Sequence, residues 1–258
     1  EPKLGAANFV KEEKTQVPFQ NAATEFREVA TPFSHLHLHS QFSVLQATAN
    51  VKNIVQKAKE YDMPAVALTD LGNMYGAFKF VREALANDIK PILGCEYFVA
   101  EKRLKLKFTK DDPDKRFNQV LLAKNKEGYL NLAKLSSYGY TEGLYGLYPR
   151  IDKELIAQYS ENVIALSGGL SGEIPNLILN IGEHQAEDAV KWWVKIFGED
   201  FYIELLRHGL EENNRVNEVL LRFAEKYDVK VIASNDVYYL DKSDADPHDL
   251  LLFVKENE

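Results

Sequence analysis

Cysteine is almost absent from the chain, because Cys95 is the one cysteine among 258 residues. A single thiol excludes an internal disulfide and a zinc site built from several cysteines. Long apolar runs are also missing, since no segment approaches the roughly 18 apolar residues of a membrane-spanning helix. The N-terminus has no basic segment followed by an apolar stretch, so no secretory signal is predicted. We therefore expect a cytoplasmic protein with no membrane partner.

Positive charge is in deficit, with 31 Lys and Arg against 39 Asp and Glu and a formal net charge of −8. A protein that binds DNA non-specifically on its own needs basic residues to displace the counterions of the phosphates. The charge balance argues against that class of protein. The remaining composition, 45% hydrophobic and 27% charged, is typical of a globular protein. The chain begins with Glu rather than Met, and we expect it to be processed or excised from a longer protein.

Two regions differ in their patterning. Residues 1–31 show no sustained periodicity, and we interpret them as an N-terminal extension or linker ahead of one domain over 32–258. In that domain, short apolar or β-branched runs alternate with helical patterns. Strands are predicted over 35–39, 65–68, 91–93, 120–122, 163–166, 201–205 and 229–233. Helices are predicted over 51–58, 76–86, 127–135, 183–197, 212–227 and 246–254.

This alternation predicts an α/β fold with parallel strands joined by right-handed crossovers, and both a barrel and an open doubly wound sheet fit it. Two observations favour the barrel. No Gly-rich phosphate loop follows the first strand, and ionisable residues follow several different strands, where a barrel would gather them at one mouth. These residues are His37, His39, Asp70, Glu96, His208 and Asp236. The segment 101–110 interrupts the alternation and predicts a hairpin or a protruding loop with one solvated face.

The most specific feature is the run His35-Leu36-His37-Leu38-His39. If it forms a strand, its three imidazoles share one face. Imidazole is a common metal ligand, and carboxylates at other strand ends would complete a site with two histidines and two carboxylates for Zn²⁺, Mn²⁺ or Fe²⁺. The competing interpretation is a set of buried, hydrogen-bonded histidines with no metal.

Several motifs resemble one known family. The segment FSHLHLHSQFS (33–43) resembles the opening motif of PHP (polymerase and histidinol phosphatase) domains. The later segments ALTDLGNM (67–74), KPILGCE (90–96) and ASNDVYY (233–239) are similar to the N-terminal PHP domain of the bacterial DNA polymerase III α subunit, and the match keeps the same order to the C-terminus. The resemblance implies a distorted seven-stranded β/α (TIM-like) barrel of the PHP type.

The resemblance also implies a metal centre of which only part is kept. Metal-active members hold up to three metals with nine ligands, and four of these positions are matched here by His37, His39, Glu96 and Asp236. The five other positions carry Gln46, Leu71, Asn118, Gly169 and Tyr238 in place of ligands. The four matched residues surround one metal in the family, so the resemblance implies either one divalent metal (Zn, Mn or Fe) or a polar cluster without metal. We assign no catalytic residue.

The function implied is that of a structural and partner-docking domain in DNA replication. The partners would be the rest of the polymerase α subunit, a proofreading exonuclease subunit, and DNA through the parent polymerase, a nucleotidyltransferase. A metal-dependent phosphoesterase or 3′–5′ exonuclease is the alternative, and a free-standing relative of histidinol-phosphate phosphatase is a weaker third interpretation. Four further residues are predicted to support the ligands or to contact an anion: His35, Asp70, Arg207 and His208.

Overall fold

The computed structural model describes residues 33–256. The predicted extension over 1–31 lies outside the described residues. Within this range eight strands are present, namely β1 Ala65–Leu68, β2 Lys90–Ala100, β3 Arg116–Ala123, β4 Leu144–Tyr145, β5 Tyr148–Ile151, β6 Val163–Leu166, β7 Phe201–Leu205 and β8 Lys230–Ala233. The same range contains eight α-helices, namely α1 Val51–Glu60, α2 Ala77–Ala86, α3 Lys126–Thr141, α4 Lys153–Gln158, α5 Glu173–Asn180, α6 Glu183–Phe197, α7 Glu211–Tyr227 and α8 Ala245–Glu256.

The strands form a closed ring around a small interior. The sheet runs in the order β1-β2-β3-β6-β7-β8, and β5 adds to the far end of β2. The segment 35–39 closes the ring, because it bonds to β1 on one side and to Val237, just past β8, on the other. Six strands and this segment are the seven elements of the ring, so the predicted distorted seven-stranded barrel is confirmed.

The predicted strand over 35–39 is wrong as a regular strand. Its backbone is irregular, and Leu38 alone makes a β-bridge, to Val237. The segment is nevertheless held firmly: the amides of Ala67 and Thr69 donate to the carbonyls of His35 and Leu38, each at 2.8 Å. Bends at Leu36 and His37 interrupt the pairing between these bonds, so no regular ladder forms along the segment.

The prediction that all strands run parallel is also wrong. Strand β3 is antiparallel to both of its neighbours, β2 and β6. The reason is the connection between β2 and β3, which is an irregular loop over 101–115 with no helix to carry the chain back along the sheet. A parallel neighbour requires such a crossover, whereas an antiparallel one does not. The interruption at 101–110 was the visible sign of this reversal.

The loop over 101–115 is fastened by one buried arginine, and no strand forms within it. Arg150, on β5, is fully buried and donates to the carbonyls of Arg103 and Lys105 at 2.9 and 2.8 Å and to Asp114 Oδ1 at 2.8 Å. Its fourth acceptor is the carbonyl of Gly143 at 2.9 Å. The segment is therefore a long loop with no hairpin of its own, and it joins the antiparallel strands β2 and β3.

The helices cover the outside of the ring, and apolar side chains fill its interior at the end away from Glu96 and Glu204. Helices α1 and α2 pack on β1, whereas α3, α5, α6 and α7 pack on the opposite side of the ring around Trp193. Inside the ring lie residues of alternate positions on each strand, which are Ala67, Ile92, Val120, Leu122, Ile164, Leu166, Tyr202 and Ile232. On β2 and β7 the same inward face continues to Glu96 and Glu204, so the upper end of the interior is acidic. No helix among residues 33–256 is long and apolar enough to cross a membrane.

Candidate metal centre

His37 and His39 enter the mouth of the ring side by side. Both side chains are fully buried, and their ring centroids lie 5.2 Å apart. The backbone carbonyl of Val237 accepts from the amide of His39 at 2.8 Å, which ties this segment to the loop that carries Asp236. Two of the three histidines therefore share one face, as the spacing predicted, whereas His35 lines the cavity beneath α1 and does not join them.

The four predicted ligands lie together in this mouth. His39 Nε2 lies 2.8 Å from Glu96 Oε2, and His37 Nε2 lies 3.6 Å from Glu96 Oε1. Asp236 Oδ1 lies 3.4 Å from His37 Nε2 and 3.5 Å from His39 Nδ1. His37, His39 and Asp236 each offer one ligand atom, and these atoms all lie within 4.8 Å of one another.

Two of these atoms lack any hydrogen bond. His37 Nε2 and Asp236 Oδ1 are buried and have no hydrogen-bond partner in the part of the chain that the structure describes. Buried polar atoms are almost always satisfied, so a pair of facing orphans calls for a missing partner. A cation between them would satisfy both, and imidazole with carboxylate is a donor set that suits Zn²⁺, Mn²⁺ and Fe²⁺. The residues present therefore fit one divalent ion.

Glu204 is a fifth member of the cluster that the sequence analysis missed. It is fully buried on β7, and its Oε1 lies 3.0 Å from His37 Nδ1. One signal was available: Glu204 interrupts the otherwise apolar strand FYIEL two residues after Tyr202, on the same face. An acidic residue on the inward face of a predicted barrel strand marks a position in or below the mouth.

Burial and charge act against each other in this cluster. Burial alone would lower the pKa of His37, but the carboxylates of Asp236, Glu204 and Glu96 hold it well above the ordinary value of 6.5. Burial alone would raise the pKa of Glu96, but its contacts with His37 and His39 hold it below its usual range. Burial raises the pKa of Asp236, against the attraction of the two histidines. Three carboxylates beside two imidazoles leave an excess of negative charge that a divalent ion would balance.

Of the five positions without ligands, four lie at the mouth or its rim, and Gln46 lies in the loop after His39, where its backbone amide donates to the carbonyl of Ser43 at 2.9 Å. Gly169 lies next to Asp236, since a Cβ atom on this glycine would lie 3.7 Å from Asp236 Oδ2. Tyr238 stacks on His39 with ring centroids 4.2 Å apart and planes 9° apart. Leu71 bridges to Glu96, and Asn118 is paired with Phe98 at the mouth end of β3. None of these side chains supplies an imidazole, a thiolate or a carboxylate.

Asp70 lies beside the segment that carries His39. Its carboxylate accepts from the amide of Ser40 at 2.7 Å and from the hydroxyls of Ser40 and Ser43 at 2.8 and 2.7 Å. Burial raises its pKa, although these hydrogen bonds oppose the shift. Asp70 therefore anchors the loop that follows His39, which is compatible with the predicted support of the ligands, and an anion contact of Asp70 stays a prediction.

The other three supporting residues lie apart from the cluster. His35 faces the apolar cavity beneath α1, with its ring edge-on to Phe33 at 4.9 Å between centroids. Arg207 and His208 are exposed on the loop after β7, and within residues 33–256 no hydrogen bond or ion pair joins either of them to the cluster. Because β7 ends at Leu205, the chain has already left the ring at these two positions.

Comparisons with known proteins show which sequences this chain resembles. The chain is 42% identical over 222 residues to the DNA polymerase III subunit alpha of Borreliella burgdorferi, and 42% identical over 226 residues to that of Thermus aquaticus. These matches cover 86% of this chain but 19% and 18% of the relatives, so the chain spans about a fifth of their length. A solved structure from Bifidobacterium adolescentis, described as a candidate metal-dependent phosphoesterase, covers 80% of this chain and 87% of its own. Its TM-score is 0.47 at 14% identity.

The family model of the PHP domain matches residues 35–208, which begin at the first histidine of the triplet and extend past Glu204. This match contains or adjoins the ordered motifs, the seven-element ring and the cluster at its mouth. The chain belongs to the PHP domain family.

Proposed function

We propose that this chain is the PHP domain of a bacterial DNA polymerase III α subunit and that it serves DNA replication as a structural and partner-docking domain with a reduced metal centre. The similarity to polymerase α subunits over 86% of the chain supports the parent protein. The observation that carries the structural role is the composition of the mouth. Four donors remain, whereas Gln46, Leu71, Asn118, Gly169 and Tyr238 offer no imidazole, thiolate or carboxylate there.

In the proposed centre, His37, His39, Glu96 and Asp236 hold one divalent ion, either Zn²⁺, Mn²⁺ or Fe²⁺. Such an ion, when bound, supplies Lewis-acid polarisation of a phosphate oxygen or of a water. The chain's own residues orient the donors: Glu204 accepts from His37, and the Val237 carbonyl lies 3.3 Å from His39 Nδ1. Phosphoester cleavage by paired ions uses two metals roughly 3.5–4 Å apart to hold both the attacking and the leaving oxygens. A site with donors for one ion cannot hold both oxygens in this way. We therefore expect weak phosphoester hydrolysis or none.

Partners follow from the same proposal. The rest of the polymerase α subunit is the first partner, DNA is contacted through the parent enzyme in the bacterial cytoplasm, and a proofreading exonuclease subunit docks on this domain. The purified 258-residue chain should incorporate no deoxynucleotide on a primed template. When immobilised on a column, the chain should retain the exonuclease subunit of its own replication complex. Nucleotide incorporation together with no retention of the exonuclease subunit would contradict the proposal.

A second candidate is a metal-dependent phosphoesterase or 3′–5′ exonuclease, which is favoured by the two facing orphan atoms, His37 Nε2 and Asp236 Oδ1. It is tested with 3′-labelled single strands and with a chromogenic phosphodiester, in Mn²⁺ or Zn²⁺. Turnover that disappears in His39→Ala would support this candidate. Turnover that persists in His39→Ala would exclude the centre as its source, and no turnover in the wild type favours the structural role. Metal content per chain, measured by mass spectrometry after native purification, tests the single-ion site directly, with about one ion expected.

A further inference from the structure

Glu204 is not one of the four predicted ligands, yet it makes a buried contact with one of them, His37. Glu204 Oε1 lies 3.0 Å from His37 Nδ1, which is closer than either carboxylate that faces the other ring nitrogen. Asp236 lies 3.4 Å and Glu96 lies 3.6 Å from His37 Nε2. Glu204 is therefore on the opposite side of the imidazole from the proposed ion.

The backbone of Glu204 is held rigidly. Its amide donates to Ser167 Oγ at 2.9 Å, and β7 pairs with β8 so that Glu204 lies opposite Ile232. The side chain is fully buried, and its second oxygen has no hydrogen-bond partner within the described residues. Consequently the carboxylate has one polar contact, His37, to compensate its burial.

A neutral imidazole has one ring proton, and that proton decides which nitrogen can bind a metal. Carboxylates face both ring nitrogens of His37, so a binding ion has to displace the proton from one of them. If the proton stayed on Nε2, between Glu96 and Asp236, that nitrogen would have no lone pair to offer. The nearest carboxylate, Glu204, accepts the Nδ1 proton at 3.0 Å, so the proton that a binding ion displaces is the one on Nε2.

We propose that Glu204 is the positioning residue of the metal centre: it fixes the orientation and the Nδ1-protonated form of His37, and so makes His37 Nε2 a ligand. This inference rests on the metal centre proposed above. Outer carboxylates that hold ligating histidines typically affect metal affinity by about 10- to 100-fold.

The test compares Glu204→Leu and Glu204→Gln with the wild-type 258-residue chain. Leucine removes the acceptor, so Mn²⁺ or Zn²⁺ should bind about 10- to 100-fold more weakly in competition titrations with a chelator. Glutamine keeps a carbonyl oxygen that can accept from Nδ1, and its loss should be less than about tenfold. Glu173→Gln is the matched control, because Glu173 also accepts from a buried ring N–H, that of Trp193, but on helix α5. It should bind metal like the wild type.

A second readout does not need metal. In ¹⁵N-labelled, metal-free protein, the His37 Nδ1 proton should give a slowly exchanging signal, assigned by its loss in His37→Gln. That signal should persist in Glu204→Gln and vanish in Glu204→Leu. Thermal unfolding shows whether each variant is folded.

The outcomes separate the two proposals. Wild-type affinity in a folded Glu204→Leu, or an unchanged Nδ1 signal in that variant, would overturn the positioning role. If the wild type binds no metal but Glu204→Leu still loses the signal, the metal centre is wrong while Glu204 does orient His37.

Discussion

Gly169 offers a way to test the geometry of the mouth by adding a ligand. A Cβ atom on Gly169 would lie 3.7 Å from Asp236 Oδ2 and 3.0 Å from Leu206 Cδ1. The backbone of Gly169 is not in the left-handed region, so a side chain brings no conformational strain. Cysteine at this position would place its sulfur within reach of an ion held by Asp236. We therefore expect Gly169→Cys to bind Zn²⁺ more tightly than the wild type.

The size of this gain can be estimated from two opposing terms. Structural zinc sites with four ligands bind with about 10–16 kcal/mol, so one added ligand contributes about 2.5–4 kcal/mol. Displacing the end of the Leu206 side chain by a few tenths of an ångström costs about 1 kcal/mol. The net gain of about 1.5–3 kcal/mol corresponds to a roughly 10- to 150-fold higher affinity.

Competition with a zinc chelator measures the affinity, and thermal unfolding with Zn²⁺ or with EDTA measures the linked stability. At saturating Zn²⁺ the added binding energy should raise Tm by about 3–12 °C, because 1 kcal/mol shifts the Tm of a domain this size by about 2–4 °C. Gly169→Ala is the matched control, since it introduces the same Cβ contact without a thiol. If Gly169→Cys binds Zn²⁺ no more tightly than Gly169→Ala, Gly169 does not border the proposed ion and the reasoning about the mouth is refuted.

Four further substitutions, in two matched pairs, test how the framework is held. Arg150→Met should lower the free energy of unfolding by about 3–5 kcal/mol and speed tryptic cleavage of the loop over 101–115, because its buried ion pair with Asp114 is broken. Arg116→Met removes a half-buried partner of the same Asp114 carboxylate and should cost no more than about 1 kcal/mol. Equal losses of unfolding free energy for the two variants in urea would contradict this account. Gly128→Ala would bring a Cβ atom to 2.0 Å from the carbonyl oxygen of Asn162 and should cost about 3 kcal/mol or more. Gly146→Ala has only the strain of a positive φ of 58° and open space around it, so about 1 kcal/mol is expected, and a larger loss there than at Gly128 would reverse the expected order.

Much of the framework follows from local patterning. The helix that begins after Asn50 was predicted from its apolar positions, and the Asn50 side chain does accept from the amide of Lys52 at 2.9 Å. Strand β1 was predicted from four consecutive apolar residues, all of which are buried. The four proposed ligands were predicted from histidine spacing, strand ends and family resemblance together, and the ring places them within contact of one another. Whether they bind a metal stays a prediction.

The amino-acid sequence alone determined which positions are apolar, where most helices and strands lie, and which ionisable residues end the strands, because each of these depends on neighbours a few residues away. The tertiary structure decided the reversed direction of β3, the irregular backbone of the segment 35–39, the anchoring role of Asp70 and the entry of Glu204 into the cluster. These features depend on contacts between residues far apart in the chain; Glu204 and His37 are separated by 167 positions. A period in a sequence reports which face of an element is buried, whereas the identity of the groups across that face is set only when the ring closes.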